Sequence, residues 1–343
     1  MTEIQLASAG IRFGFQPFCG FICDLTIVDQ GRTIQPMHRV PWMNEALPAN
    51  LPAHLRQMQG DFFCAPFADG GGNAPVLHGW PANALWSDIS SDGATLQARL
   101  VEKVQGATVT KRLTLKDNHP FVYQAHEFCG GTGTISVANH AMVSLSDGGL
   151  ISFSAKDSFR TPAQAQETDP ARGRSALAYP ARTNDPRAFP AQDGGTVDLT
   201  CYPFRPDSED FVIASETAGS QIGWTAVVRL GQGDLYLSIR NPAILPMTML
   251  WHSDGGRDFA PWSGRHRSCL GVEEGYAPHM LDEAGGLPLG GVLDIRHAIG
   301  AIAWPSESRV MQISVEAGYL IVSGEAGETR KVPFDLGHLG LSA

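Results

Sequence analysis

Three short stretches of this 343-residue chain set acid/base side chains in strand-like surroundings: LHGWPANALW at 77–86, SVANHAMVSL at 136–145 and LGVEEGYA at 270–277. An imidazole and a carboxylate can each take and give a proton near neutral pH, so the two together are equipped for general acid–base chemistry. The third stretch raises a question of its own. Side chains alternate faces along a strand, so Glu273 and Glu274 must point opposite ways. One is expected to face water and the other a partner or substrate, because an unpaired buried carboxylate is costly.

In the second stretch Ile135, Val137, Ala141, Val143 and Leu145 share a face with Asn139, while His140 falls on the more polar face with Ser136, Met142 and Ser144. His78 follows a glycine-rich approach, ADGGGNAPVLHG, which predicts a turn beside an open surface. Asp254, Arg257 and Asp258 lie in HSDGGRDF just past a strand, where loops carry binding groups or simply form a turn. His119, His126 and His252 have contexts that suit structural roles.

The elements that must position these residues are short. Residues 94–116 alternate apolar and polar on both sides of Gln105-Gly106, the pattern of a β-hairpin with one dry and one wet face. Similar runs recur at 21–29, 120–128, 133–145, 148–155, 196–204, 222–230, 234–240, 247–253, 268–277, 310–316 and 318–324. With 38 Gly and 23 Pro punctuating them and no long helical periodicity, the expected fold is all-β: a large antiparallel sandwich in one domain spanning 1–343. Residues 277–285 are the best short helix. Residues 156–195, rich in Pro, Ala, Arg and Asp, read as an excursion over one end of the sandwich.

The net charge of −10 comes from dispersed acids, and no basic stripe is present to meet phosphates, so neither nucleic acid nor an anionic membrane is an expected partner. MTEIQLASAG lacks the basic and apolar regions of a secretory signal, which makes the cytoplasm the expected location. Six dispersed cysteines without a CxxC pair are expected to be reduced and structural. Cys19 and Cys23 would need two further ligands to hold a metal, so no metal is expected.

Taken in order, the motifs resemble those of the aldose 1-epimerases, or galactose mutarotases, and the related hexose-6-phosphate mutarotases. The resemblance rests on Leu77-His78-Gly79, Asn139-His140 and Leu270-Gly271-Val272-Glu273, with Trp86 eight residues after His78 and Trp251 near a late strand end. It implies the mutarotase-like sandwich and a cofactor-free isomerase acting on a small carbohydrate. Glu273 would be the base on the anomeric hydroxyl, His140 the acid on the ring oxygen, and His78 a second imidazole that binds the sugar or assists protonation. Asn139, Trp86, Trp251 and Asp254 would bind substrate, with Trp80 a further flat face. The sequence departs from the pattern in three places. Glu274 stands where the family has proline, Ala82 replaces an arginine of the phosphate branch, and FADGGG replaces an Asn-Arg motif. Loss of those arginines argues against a sugar phosphate. Two rivals go with the fold: carbohydrate binding without turnover, and a polysaccharide lyase or hydrolase, which the lack of a basic cluster disfavours.

Overall fold

The computed structural model describes residues 3–341. Two large sheets dominate, and every strand ladder in them is antiparallel. The first has 11 strands, and at its centre lie side by side Asp61–Cys64, Val137–Ser144, Cys269–Tyr276, Met247–Ser253 and Glu209–Glu216. The second has 9 strands, centred on Asp234–Arg240, Val292–Ala303 and Phe121–Gly130. Inner-facing residues of both sheets, among them Phe13, Phe63, Val143, Val272, Val122 and Ile299, meet in one buried cluster. The fold is an all-β sandwich.

Both outer faces are covered as well. A three-stranded sheet, Val310–Glu316, Tyr319–Gly324 and Thr329–Pro333, packs Ile313, Leu320 and Val322 against Trp224 and Leu237 of the second sheet. Loops supply Val40, Trp42, Met58, Phe67 and Trp262 to the outer face of the first sheet. Its central strands are therefore buried on both faces, and Met247–Ser253 is buried at every position. This is why they read as nearly continuous apolar runs rather than as alternating ones.

Individual elements follow local chemistry. The hairpin turns at Gln105 and Gly106, both with positive φ (49° and 84°), the geometry that lets a tight turn match strand twist. The strands at 234–240, 247–253 and 310–316 have the boundaries their sequences predict. The expected helix at 277–285 is only a 3-10 turn, Pro278–Leu281, ended by Asp282 in the left-handed region. The 196–204 run breaks into the two-residue strands Thr196–Val197 and Cys201–Tyr202. Within 156–195, Lys156–Arg160 joins the first sheet beside Glu209–Glu216, so this segment begins as sheet before it becomes loop. The Asp210 carboxylate then accepts the backbone N–H groups of Ala176 and Leu177 and pins the excursion to the sheet. Among the described residues, no helix is long and apolar enough to cross a membrane.

Candidate active site

Strand register sets Glu273 directly opposite His140, on neighbouring central strands of the first sheet. Their side chains leave the same outer face and meet, with Glu273 Oε1 at 3.1 Å from His140 Nε2. Gly271 makes room for this, since a Cβ there would lie 2.8 Å from Glu273 Oε1 and 2.9 Å from Trp251 Cβ. Phe62, opposite His140 on the other side, stacks on the imidazole with ring centroids 4.4 Å apart.

The pair forms the floor of a cavity of about 400 Å3 roofed by the covering loops. His78 enters from the turn before the Trp80–Ala82 3-10 helix, its ring 5.3 Å from that of His140 and perpendicular to it. The turn depends on Gly79, where a Cβ would stand 2.0 Å from the Ala65 carbonyl oxygen. His54, from the helix Ala53–Arg56, stands beside His78 with ring centroids 5.0 Å apart. Trp251, Phe211, Phe67, Phe259 and Trp262 supply apolar walls, and Arg257 and Gln166 close one side.

Hydrogen bonds assign the imidazole tautomers. Asn83 Nδ2 donates to the carbonyls of Leu77 and Gly79, so its Oδ1 accepts from His54 Nδ1 at 3.0 Å. His54 Nε2 is then a bare acceptor. The Ala68 N–H donates to His78 Nδ1, which leaves the His78 proton on Nε2 as a donor. His54 Nε2, His140 Nδ1 and Glu273 Oε2 are buried with no partner among the described residues. Buried polar atoms in such a state call for a ligand or water.

Burial governs the protonation of this group. It pushes the Glu273 carboxyl well above the usual carboxylate range and the His140 imidazole down to about 3. His78 is lowered too, first by burial and then by its histidine neighbours. A site this dry disfavours a lone charge, so Glu273 and His140 together hold a single proton.

The geometry brings Glu273, His140, His78 and Trp251 to one cavity and leaves three expected substrate contacts outside it. Asn139 points between the two sheets, because it alternates with His140 along its strand. Trp86 belongs to the second sheet and is fully buried in the inner core, its indole N–H donating to the Pro81 carbonyl. Asp254 shapes its turn by accepting the Ser268 N–H. Trp80 packs against the inner core, and Asp258 pairs with Arg174. His119, His126 and His252 bond or stack elsewhere, on Tyr123, Phe63 and Phe204.

Glu274 does not face water. It is 0 % exposed and lies in the inner layer, where Arg240 Nη1 reaches it at 2.8 Å and the hydroxyls of Thr225 and Thr248 donate to it at 2.6 and 2.7 Å. The expected wet face is a second dry one, since both faces of this strand are covered.

Sequence reasoning missed His54, Gln166, Phe259 and Trp262. None lies in a regular pattern: His54 sits in a single-turn helix and the other three in loops, and each reaches the cavity only through the path of the covering segments. Arg257 had a signal, its place just past a strand end. It pairs with Glu209 at 3.0 Å and lies over the Trp262 ring at 4.4 Å.

No protein-family model matches the sequence, and no curated protein matches it. Solved structures do. A putative aldose 1-epimerase from Escherichia coli K12 superposes with a TM-score of 0.59 at 13 % identity, covering 88 % of this chain and 98 % of its own. The chain has an aldose 1-epimerase-like fold. A GalM/aldose epimerase homologue from C. elegans gives a TM-score of 0.55 at 13 % identity over 88 % of this chain and 99 % of that one. A galactose mutarotase related enzyme from Lactobacillus acidophilus gives 0.51 at 12 % identity, over 88 % and 97 % of the two chains. At such identities the likeness speaks for the epimerase-like sandwich and its strand order, not for the chemistry.

Proposed function

We propose that this protein interconverts the anomers of a free, uncharged aldose by general acid–base catalysis. The observation that carries the reading is the Glu273–His140 pair, 3.1 Å apart on the floor of a cavity of about 400 Å3. Likeness in fold to proteins named as epimerases and mutarotases agrees with it.

Glu273 takes the proton of the anomeric hydroxyl while His140 gives one to the ring oxygen. The bond between the anomeric carbon and the ring oxygen breaks and the aldehyde forms. Rotation about the adjacent carbon–carbon bond presents the other carbonyl face, and the proton transfers reverse as the ring closes. The pair holds one exchangeable proton throughout: it sits on His140 with Glu273 ionised while the ring is closed and on Glu273 with His140 neutral while the ring is open, so the bound sugar must draw it to His140 from Glu273, where burial favours it. Net charge in the dry site never changes, which avoids the cost of creating a lone ion there. His78 Nε2–H donates to the sugar and His54 Nε2 accepts from it, while the aromatic walls take the apolar faces of the ring. Arg257, the one arginine among the described residues that line the cavity, is already matched by Glu209, which favours a neutral sugar over a phosphate.

A second reading, sugar binding without turnover, draws on the fact that Glu273 and His140 are 1 % and 4 % exposed and already engage each other through Oε1 and Nε2. Polarimetry of freshly dissolved glucose, galactose and other aldoses separates the two. Catalysis predicts accelerated mutarotation for at least one sugar, reduced about 10²–10⁴-fold by Glu273→Gln. Binding by calorimetry with no acceleration would leave only the second reading.

A further inference from the structure

Behind the Trp251 wall, the outer face of the first sheet carries a second cluster of reactive side chains. Cys269 lies four positions before Glu273 on the same strand and so projects from the same face. His266 comes from the loop that precedes it, and His38 from a segment that runs beside the last residues of Val137–Ser144, its N–H donating to the Met142 carbonyl. One ligand atom from each of the three falls within 4.8 Å of the others. We propose that His38, His266 and Cys269 bind a zinc ion.

The supporting shell is the kind that a metal-binding imidazole needs. Ser253 Oγ donates its proton to Glu209 Oε2 at 2.7 Å, so it accepts from His266 Nδ1, also at 2.7 Å. That bond fixes the tautomer and leaves Nε2 with a free lone pair. The atom is buried and has no partner among the described residues, and His266 is 1 % exposed. Metal-ligating histidines are oriented in this way by an acceptor on the other ring nitrogen. His38 Nε2 likewise has no partner. Two imidazoles and one thiol suit zinc, whereas calcium and magnesium want oxygen ligands. Zinc–ligand bonds of about 2.0–2.3 Å require the three atoms to draw together by about 1 Å, within reach of small side-chain rotations.

His38 also lines a separate surface cavity of about 220 Å3, with Arg39 and Gln59, and this is the side from which an ion and a water for the fourth position would have to arrive. Binding replaces the Cys269 S–H bond by a zinc–thiolate bond and releases the proton to solvent. His266 stacks on Trp251 with ring centroids 5.3 Å apart, so a bound ion would brace the wall of the catalytic cavity from behind. His266 and Cys269 are three residues apart, but His38 lies far from them in the chain, so no complete spacing motif announces the set.

The test uses untagged, chelator-stripped full-length protein titrated with Co2+ and then Zn2+. The expected result is one equivalent of Co2+ giving thiolate-to-cobalt charge-transfer absorption that Zn2+ abolishes. Cys269→Ser should remove the band. His38→Ala, at a half-buried loop position, should weaken Zn2+ binding at least tenfold by competition with a chromophoric chelator. No charge-transfer band in the unaltered protein overturns the proposal whether or not the variants fold. So does Zn2+ affinity unchanged in both variants.

Discussion

At the scale of single residues, the decisive quantity is the number of protons the Glu273–His140 pair holds. Burial raises the carboxyl and lowers the imidazole to about 3, so the one-proton form should persist across the whole neutral range. An ordinary histidine acting alone would impose a step near 6.5. The corrected rate of sugar mutarotation, kcat/KM against pH, is therefore expected to be flat from about pH 5 to about pH 7, because the second proton joins the pair only near its lowered histidine value. A step centred near 6.5 would mean that His140 titrates freely and that the shared-proton description is wrong. His140→Asn should lower the rate as Glu273→Gln does, while His54→Gln, which keeps a hydrogen-bonding group, should act mainly on KM. The catalytic candidates were legible in the sequence through residue type and motif order. Their companion His54 was not, since a histidine in a four-residue helix after a proline-rich loop carries no pattern that points inward.

At the scale of elements, the strand Cys269–Tyr276 explains how two adjacent carboxylates coexist with apolar neighbours. Alternation sends Glu273 to the cavity and Glu274 to the inner layer, and each face provides partners of its own. Arg240 forms ion pairs with both Glu274 and Glu216, at 2.8 and 2.5 Å, and Lys156 pairs with Glu216 at 2.6 Å, so two acidic and two basic side chains balance within the inner layer. Breaking such a set by removing one member leaves a buried charge uncompensated. Arg240→Met is expected to cost about 3–5 kcal/mol in urea unfolding, and adding Glu274→Gln should recover part of it. A loss below about 1 kcal/mol would show that the quartet is not ionised. The alternation itself could be read from sequence, as could strands bounded by turn residues. The covering layer could not, because it consists of loops, and a strand buried on both faces looks the same whether sheet or loop lies above it. The twelve-residue strand Val292–Ala303 escaped for a related reason: Asp294 and Arg296 interrupt its half-buried first half, and Gly300 its fully buried second half.

At the scale of the whole molecule, layering four deep takes an unusual share of titratable groups out of water, and this should appear as acid sensitivity. All 11 histidines have their pKa lowered, with burial the leading cause at each. His54 falls to about 4, and His140, His252 and His297 to about 3. A base with a depressed folded-state pKa binds fewer protons folded than unfolded. The stability it contributes is present above its ordinary value of 6.5 and is lost as pH falls toward the folded value. The carboxyls raised by burial, Asp61, Glu209, Asp210, Asp234 and Glu273, act with the opposite sign, since the folded state keeps them protonated at a pH where the unfolded chain ionises them. Histidines outnumber them by 11 to 5, so the net effect between pH 6.5 and about 4 is destabilising. A tenfold difference in proton affinity between the folded and unfolded chain is worth about 1.4 kcal/mol. Several buried imidazoles exceed that difference, so the fall is large against the stability of an ordinary domain. The urea midpoint, followed by fluorescence of the buried Trp42, Trp86 and Trp304, should be clearly lower at pH 5 than at pH 7. A midpoint that holds or rises on acidification would mean that the imidazoles are solvated or that the raised carboxyls dominate, and the dry interior on which the shared-proton pair depends would have to be abandoned.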